Sequence, residues 1–257
     1  MLSLTRRFHS SKVPNTTADF WFLKILTTAM GESTSDFFVH RFSPVLAVLA
    51  GGAVFSVALY AQLRAPRYLV TTYWFAVVMV SVFGTMCADA VHVGLGVPYV
   101  VSAACFALAL AAIFVTWRAF ESTLSIHSIT TTRRELFYWA TVTATFALGT
   151  AAGDMTAYTL NLGFFSSAVW FSVLLALPAL YFALTHNNAI ASFWFAYVLT
   201  RPVGASFADW FGVSTLRGGL NWGPGNVAMA LTLLIVINVA LLARRASSQM
   251  RNTVIRL

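Results

Sequence analysis

A spaced triplet of tryptophan, glycine and aspartate occurs four times along the chain. In each copy the glycine follows the tryptophan by ten residues, and the aspartate follows the glycine by five. The copies are Trp21, Gly31 and Asp36; Trp74, Gly84 and Asp89; Trp139, Gly149 and Asp154; and Trp194, Gly204 and Asp209. Each copy lies in a long apolar segment, where a carboxylate is costly if the segment crosses a bilayer. The repeat therefore constrains both the fold and the function.

The apolar content of the chain excludes a soluble fold. Of its 257 residues, 59% are hydrophobic and only 9% are charged, which leaves too little polar surface to cover a soluble domain. Eight apolar segments are long enough, or nearly so, to cross a hydrocarbon core of about 30 Å as helices. They lie at 20–39, 45–62, 69–91, 97–117, 136–160, 163–184, 189–211 and 226–243. Continuous apolar runs favour helices over a barrel, so the sequence predicts an all-α polytopic membrane protein with eight transmembrane helices.

The positions of lysine and arginine predict the topology. Twelve of these residues lie in the tails and connections on one side, whereas Arg41 and Arg217 lie on the other. The positive-inside rule then predicts that both termini are cytoplasmic. The expected layout is a solvated basic tail at 1–19 without a cleavable signal peptide, one transmembrane domain at 20–243, and a second basic tail at 244–257. Because the net charge of +8 reflects topology, we expect no nucleic-acid partner.

The spacing of the repeat predicts four helical hairpins at about 20–62, 69–117, 136–184 and 189–243. Each hairpin has a motif helix, which carries the triplet, and a return helix, which is nearly devoid of charge. Since every unit contains two helices, all units share one orientation and are parallel repeats. We expect the motif helices to lie inside and the return helices to face lipid.

The motif glycines are predicted to be helix-packing positions. Gly31, Gly84, Gly149 and Gly204 are each followed four residues later by another small residue. Two small residues with this spacing let helix backbones approach closely in a membrane.

The polar residues of the motif helices recur at intervals of four residues, so they share one face of each helix. The acids are candidates for an ion or proton site: Glu32, Asp36, Asp89, Asp154 and Asp209. The bases Lys24 and Arg201 are predicted to be their charge partners, and four hydroxyl residues are predicted to line the site: Thr28, Ser81, Thr85 and Thr150. Each aspartate lies about 22 Å along the helix from its tryptophan, which predicts one layer of carboxylates in the outer half of the membrane.

Five acids against two bases leave three carboxylates without a counter-charge. Such groups must be protonated, hydrogen-bonded, hydrated or neutralised by a cation. An ion or proton site is one interpretation, interhelical hydrogen bonding is a second, and another ligand is a third. His40 follows Asp36 by four residues and His92 follows Asp89 by three, so each pair is also a weak candidate for a metal site.

The segments KILTTAMGESTSDF, FALGTAAGDMTA and FWFAYVLTRPVGASFADW resemble an uncharacterised bacterial family of integral membrane proteins that is catalogued as a repeat of unknown function. The resemblance covers residues 13–243. It implies a multi-pass protein of the bacterial inner membrane and carries no activity with it.

The sequence fits two other classes of membrane protein poorly, namely the intramembrane aspartyl proteases and the retinal proteins. The segment Ala151–Asp154 is similar to the GxGD signature of intramembrane aspartyl proteases, but its first glycine is missing and such enzymes need two acids. A retinal protein needs a lysine in its last helices, whereas Lys24 lies in the first. We therefore expect a non-enzymatic transporter or channel-like protein without a cofactor. Its expected partners are the lipid bilayer and a small cation or proton, and a homo-oligomer is compatible with the sequence. A structural or assembly protein whose buried acids hold the helices together is the first alternative, and an intramembrane enzyme is the second.

Overall fold

The structure is a computed structural model that describes residues 11–255. Within these residues the chain forms eight α-helices and no strand, so the predicted helices are all present. They are α1 (Ala18–Arg41), α2 (Pro44–Arg64), α3 (Val70–Asp89), α4 (Tyr99–Glu121), α5 (Thr132–Asp154), α6 (Gly163–Thr185), α7 (Ala189–Gly212) and α8 (Pro224–Ile255).

Local sequence signals explain several helix boundaries. Thr17 caps α1 by accepting a hydrogen bond from the backbone N–H of Phe20, and Thr131 caps α5 in the same way. Pro44 occupies the first turn of α2, where a missing N–H is tolerated. At their other ends, α4 and α6 stop at Ser122 and His186, which adopt the left-handed conformation.

Five of the helical segments in the described part of the chain are long and apolar enough to cross a membrane. They are Pro44–Arg64, Val70–His92, Tyr99–Glu121, Gly163–Thr185 and Pro224–Ser248. The other three helices, α1, α5 and α7, are motif helices whose polar residues lower their mean hydropathy. Those polar residues point inward, since Lys24, Thr150 and Arg201 are each at most 1% exposed. The helices therefore indicate a membrane protein.

The motif helices α1, α3, α5 and α7 pack in a closed ring, in which α1 and α5 each contact both α3 and α7. The return helices lie outside this ring. Each packs mainly on the motif helix of the next repeat: α2 on α3, α4 on α5, α6 on α7, and α8 on α1. The hairpins of the sequence are thus not the packing units, and α8 closes the circle onto the first motif helix.

The motif glycines set the register of the ring. Each faces the side chain that lies seven residues after the tryptophan of the next motif helix: Gly31 faces Ser81, Gly84 faces Phe146, Gly149 faces Arg201, and Gly204 faces Thr28. A Cβ atom at any of these glycines would lie closer than 3.0 Å to that neighbour. The same contact therefore recurs at all four interfaces of the ring, which gives the interior a fourfold pseudo-symmetry.

An aromatic layer closes the end of the ring at which the tryptophans lie. The residue before each tryptophan packs against the tryptophan of a neighbouring motif helix: Phe20 on Trp74, Tyr73 on Trp139, Tyr138 on Trp194, and Phe193 on Trp21. The ring centroids are 5.6 to 6.1 Å apart. The hydroxyls of Tyr73 and Tyr138 are also hydrogen-bonded, at 2.5 Å.

Residues 11–17 fold back beneath the aromatic layer. Lys12 donates hydrogen bonds to Glu135 at 2.6 Å and to the carbonyl of Leu63 at 2.9 Å, and it is 8% exposed. The prediction of a solvated tail is therefore wrong at Lys12, because the fully buried Glu135 requires a counter-charge. The other basic residues of that tail, Arg6 and Arg7, lie outside the described residues.

Candidate functional site

The aspartates of the four motif helices line one cavity of about 630 Å³ at the end of the ring opposite the aromatic layer. Glu32 also reaches this cavity, so the structure brings together the whole predicted acid set: Glu32, Asp36, Asp89, Asp154 and Asp209. We call this space the acid-lined cavity. Glu32 and Asp209 are buried, whereas the other three acids are half-buried and open to the cavity.

Arg201 lies beside Glu32, below the acid-lined cavity, and ties the ring together. Its guanidinium donates to the Glu32 carboxylate and to the hydroxyl oxygens of Thr85 and Thr150, the last at 2.6 Å. It also donates to the carbonyl of Thr28 at 3.3 Å. One fully buried side chain from α7 is thus bonded to α1, α3 and α5. As predicted for a charge partner, Arg201 forms an ion pair with an acid of the set.

The predicted hydroxyl residues do not line the cavity. Thr85 and Thr150 hold Arg201 beneath it, as described above. Thr28 donates to the carbonyls of Ile25 and Thr200, and Ser81 donates to the carbonyl of Thr27 at 2.8 Å. The physical reason is depth: these residues lie one or two helical turns below the aspartates, where Arg201 fills the axis.

Lys24 does not pair with an acid, which contradicts the predicted role. It lies two helical turns, or about 12 Å, from Glu32 along α1, and the Arg201 layer separates it from the cavity. Its Nζ lies 4.1 Å from the ring centroid of Phe146 and 4.2 Å from that of Tyr197. Within the described residues this nitrogen has no hydrogen-bond partner, so its contacts are with aromatic faces.

Replacement of Lys24 by methionine is therefore expected to keep or raise stability. Methionine fills a similar volume between two aromatic rings and removes a buried nitrogen that has no hydrogen-bond partner. An unsatisfied buried polar group costs about 1–3 kcal/mol, which sets the expected gain in unfolding free energy. Thermal unfolding in detergent measures it, with Lys24→Ala as a control that loses packing and is destabilised. A large loss of stability in Lys24→Met would reveal an ion pair that this geometry lacks.

His92 lies between two aspartates of neighbouring helices. Its Nε2 is 3.7 Å from Asp89 Oδ1 and 3.4 Å from Asp154 Oδ2. A π-helical turn follows each aspartate, at Ala90–Gly94 and at Met155–Thr159. The first of these turns contains His92 and places it against Asp89 and Asp154, in keeping with the frequent occurrence of π-turns at functional sites.

His40, the other predicted metal candidate, is arranged differently. Its Nδ1 is 2.7 Å from the backbone carbonyl of Asp36, and the side chain is exposed. It lines the acid-lined cavity but does not join Asp36 in a cluster of ligands; the cluster found among the described residues is Asp89, His92 and Asp154.

Several residues of the site were not predicted as such. Arg217 and Tyr158 meet at the rim, where the guanidinium donates to the phenol oxygen. Ser35 donates to Asp89 at 3.3 Å, and Ser102 contacts His92 from α4. Tyr158 follows Asp154 by four residues, just as His40 follows Asp36 by four. This shared spacing was the feature of the sequence that could have placed Tyr158 at the site. Ser102 lies on a return helix, so the repeat gave no sign of its role.

Comparisons with known proteins identify the family. No curated protein and no solved structure matches the chain. The family model described as Repeat of Unknown Function (DUF347) matches residues 72–123, 137–188 and 192–248. These segments contain the second, third and fourth copies of the triplet, whereas the first copy, which has the same spacing, precedes them. Because the matched segments make up more than half of its residues, the chain belongs to the Repeat of Unknown Function (DUF347) family.

Proposed function

We propose that this protein is a membrane transporter for a cation and that the acid-lined cavity is its binding site. The observation that carries the proposal is the convergence of five carboxylates from four helices on one cavity. Arg201 forms an ion pair with Glu32, whereas the four aspartates form no ion pair with a lysine or arginine among the described residues. His92 lies between Asp89 and Asp154, and the side chains of Asp36 and Asp209 have no ion pair in the described part of the chain. Low-dielectric walls strengthen the attraction of such a cavity for a metal cation or for protons.

The hydrogen bonds of the aspartates favour this function over a purely structural one. Acids that merely hold helices together should accept hydrogen bonds from neighbouring helices. Among the described residues, Ser35 donates to Asp89, whereas the side chains of Asp36 and Asp209 receive no hydrogen bond. Carboxylates that lack protein donors are available to water, protons or a cation.

The closed axis favours a transporter over an open channel. Below the cavity, a mobile cation meets the fixed positive charge of Arg201 and then the aromatic layer, and both are barriers to a hydrated ion. Passage therefore requires rearrangement of the motif-helix ring. In this proposal all eight helices cross the bacterial inner membrane, both termini are cytoplasmic, and the cavity opens to the outside.

The proposal predicts that Asp36→Asn and Asp209→Asn abolish cation flux while the melting temperature is unchanged. Asparagine keeps the shape of the side chain but removes the charge and the exchangeable proton. The assay uses proteoliposomes with a pH-sensitive dye and a panel of Na⁺, K⁺, Mn²⁺ and Zn²⁺ gradients. Asp19→Asn is the matched control, because this exposed carboxylate of α1 pairs with Arg245 outside the cavity.

Normal flux in both cavity variants at unchanged stability would contradict the proposal. It would leave the aspartates as structural residues of the helix ring.

A further inference from the structure

The cluster of Asp89, His92 and Asp154 has dimensions that suit one metal ion. Its three ligand atoms all lie within 4.8 Å of one another. The separations of 3.4 and 3.7 Å from His92 Nε2 to the two carboxylates exceed those of ordinary hydrogen bonds. Ligands at about 2.0–2.2 Å from a shared ion are roughly 3–3.6 Å apart, which is close to this spacing.

The hydrogen bonds of Ser102 indicate that His92 Nδ1 carries a proton, so Nε2 is the nitrogen available to a metal. Ser102 has one hydroxyl proton, and it donates this proton to the carbonyl of Tyr99 at 3.1 Å. The Ser102 oxygen must then accept from His92 Nδ1, which is also 3.1 Å away. In neutral imidazole a protonated Nδ1 leaves a lone pair on Nε2. This is the tautomer that binds a metal through Nε2, with Ser102 as the outer hydrogen-bond partner.

The side chain of His92 is buried, since the residue is only 7% exposed. Its Nε2 nevertheless has no hydrogen-bond partner among the described residues. The ring of Tyr99 packs on the imidazole with centroids 4.7 Å apart and holds it in place. A lone pair and two carboxylates that face one another repel unless a positive charge lies between them. A metal cation between these three groups removes the repulsion, as does a proton on Nε2.

We propose that Asp89, His92 and Asp154 bind a divalent first-row transition-metal ion such as zinc or manganese. An imidazole with two carboxylates suits these metals, whereas calcium and magnesium prefer oxygen ligands and copper(I) prefers sulfur. Three protein ligands leave further positions to water, so the ion can exchange. This metal site makes the proposed function more specific. It rests on that function in one respect, namely that the ion bound here is the transported cation.

Metal binding to the tag-free, full-length protein in detergent tests the site without any transport. Calorimetry with Zn²⁺ and with Mn²⁺ should give one ion per chain, and Mg²⁺ and Ca²⁺ should bind far more weakly. We expect His92→Gln and Asp154→Asn to weaken Zn²⁺ binding at least about 100-fold, and Ser102→Ala to weaken it about tenfold. His127→Gln, which alters an exposed histidine outside the acid-lined cavity, should leave the affinity unchanged.

Melting temperatures of the metal-free variants separate lost ligands from lost folding. With Co²⁺ as the probe, the wild-type protein should show an absorption band that His92→Gln lacks. Wild-type affinity in a folded His92→Gln variant, or equal affinity for Mg²⁺ and Zn²⁺, would overturn the site. Flux of another cation that depends on Asp36, without Zn²⁺ or Mn²⁺ binding, would overturn the metal site but not the proposed function. Tight metal binding without any flux would overturn the proposed transport function but not the metal site.

Discussion

Replacement of Arg201 by methionine is expected to lower the free energy of unfolding by about 3–5 kcal/mol, the usual result of removing one partner of a buried ion pair. The guanidinium is fully buried and is bonded to residues of three other motif helices. Its loss leaves the Glu32 carboxylate, which lines the cavity, without a counter-charge, and it removes the partner of Thr85 and Thr150. Reversible unfolding in mixed detergent micelles measures the change.

A double-mutant cycle separates the ion pair from the packing. Glu32→Gln combined with Arg201→Met should be more stable than the sum of the single effects predicts, because neither charge is then stranded. Arg217→Met is the control, since this exposed arginine at the cavity rim should change stability by less than about 1 kcal/mol. Strict additivity of the two buried substitutions would show that Arg201 and Glu32 are not energetically coupled.

The apolar pattern was sufficient to predict the helices, and the spacing of the triplet was sufficient to bring the acids together. A constant interval between Trp, Gly and Asp means that equivalent residues lie at one depth once the motif helices gather in a ring. Arg201 was predicted as an acid partner because an arginine inside a bilayer needs one. The depth of a residue along its helix and the need of a buried charge for a partner can both be predicted from the sequence.

Packing between helices was less readable. The return helices are uniformly apolar, so their sequences could not predict that α2 packs on α3 or that α8 packs on α1. Lys24 was assigned to an acid for the same reason as Arg201, but the rings of Phe146 and Tyr197 are its neighbours. The two π-turns after Asp89 and Asp154, and hence the position of His92, also depend on tertiary contacts.

Gly149→Ala and Gly153→Ala, one helical turn apart on α5, are expected to have different effects on stability. A Cβ atom at Gly149 would overlap the side chain of Arg201 and lie 3.0 Å from Pro202 Cδ. The Arg201 layer would have to move, and overpacking of a tight core costs about 1–3 kcal/mol even without the loss of its hydrogen bonds. At Gly153 the nearest atom is Ser206 Oγ at 3.6 Å, an ordinary contact.

Gly153→Ala should therefore leave stability unchanged or raise it by up to about 1 kcal/mol, since alanine is the better helix former. We expect Gly149→Ala to lower the unfolding free energy by about 3 kcal/mol or more and to weaken cation binding, because Glu32, which lines the cavity, shifts with Arg201. Unfolding curves of both variants in the same detergent make the comparison. Equal effects at the two glycines would mean that the close approach of α5 and α7 at Gly149 does not set the register of the ring.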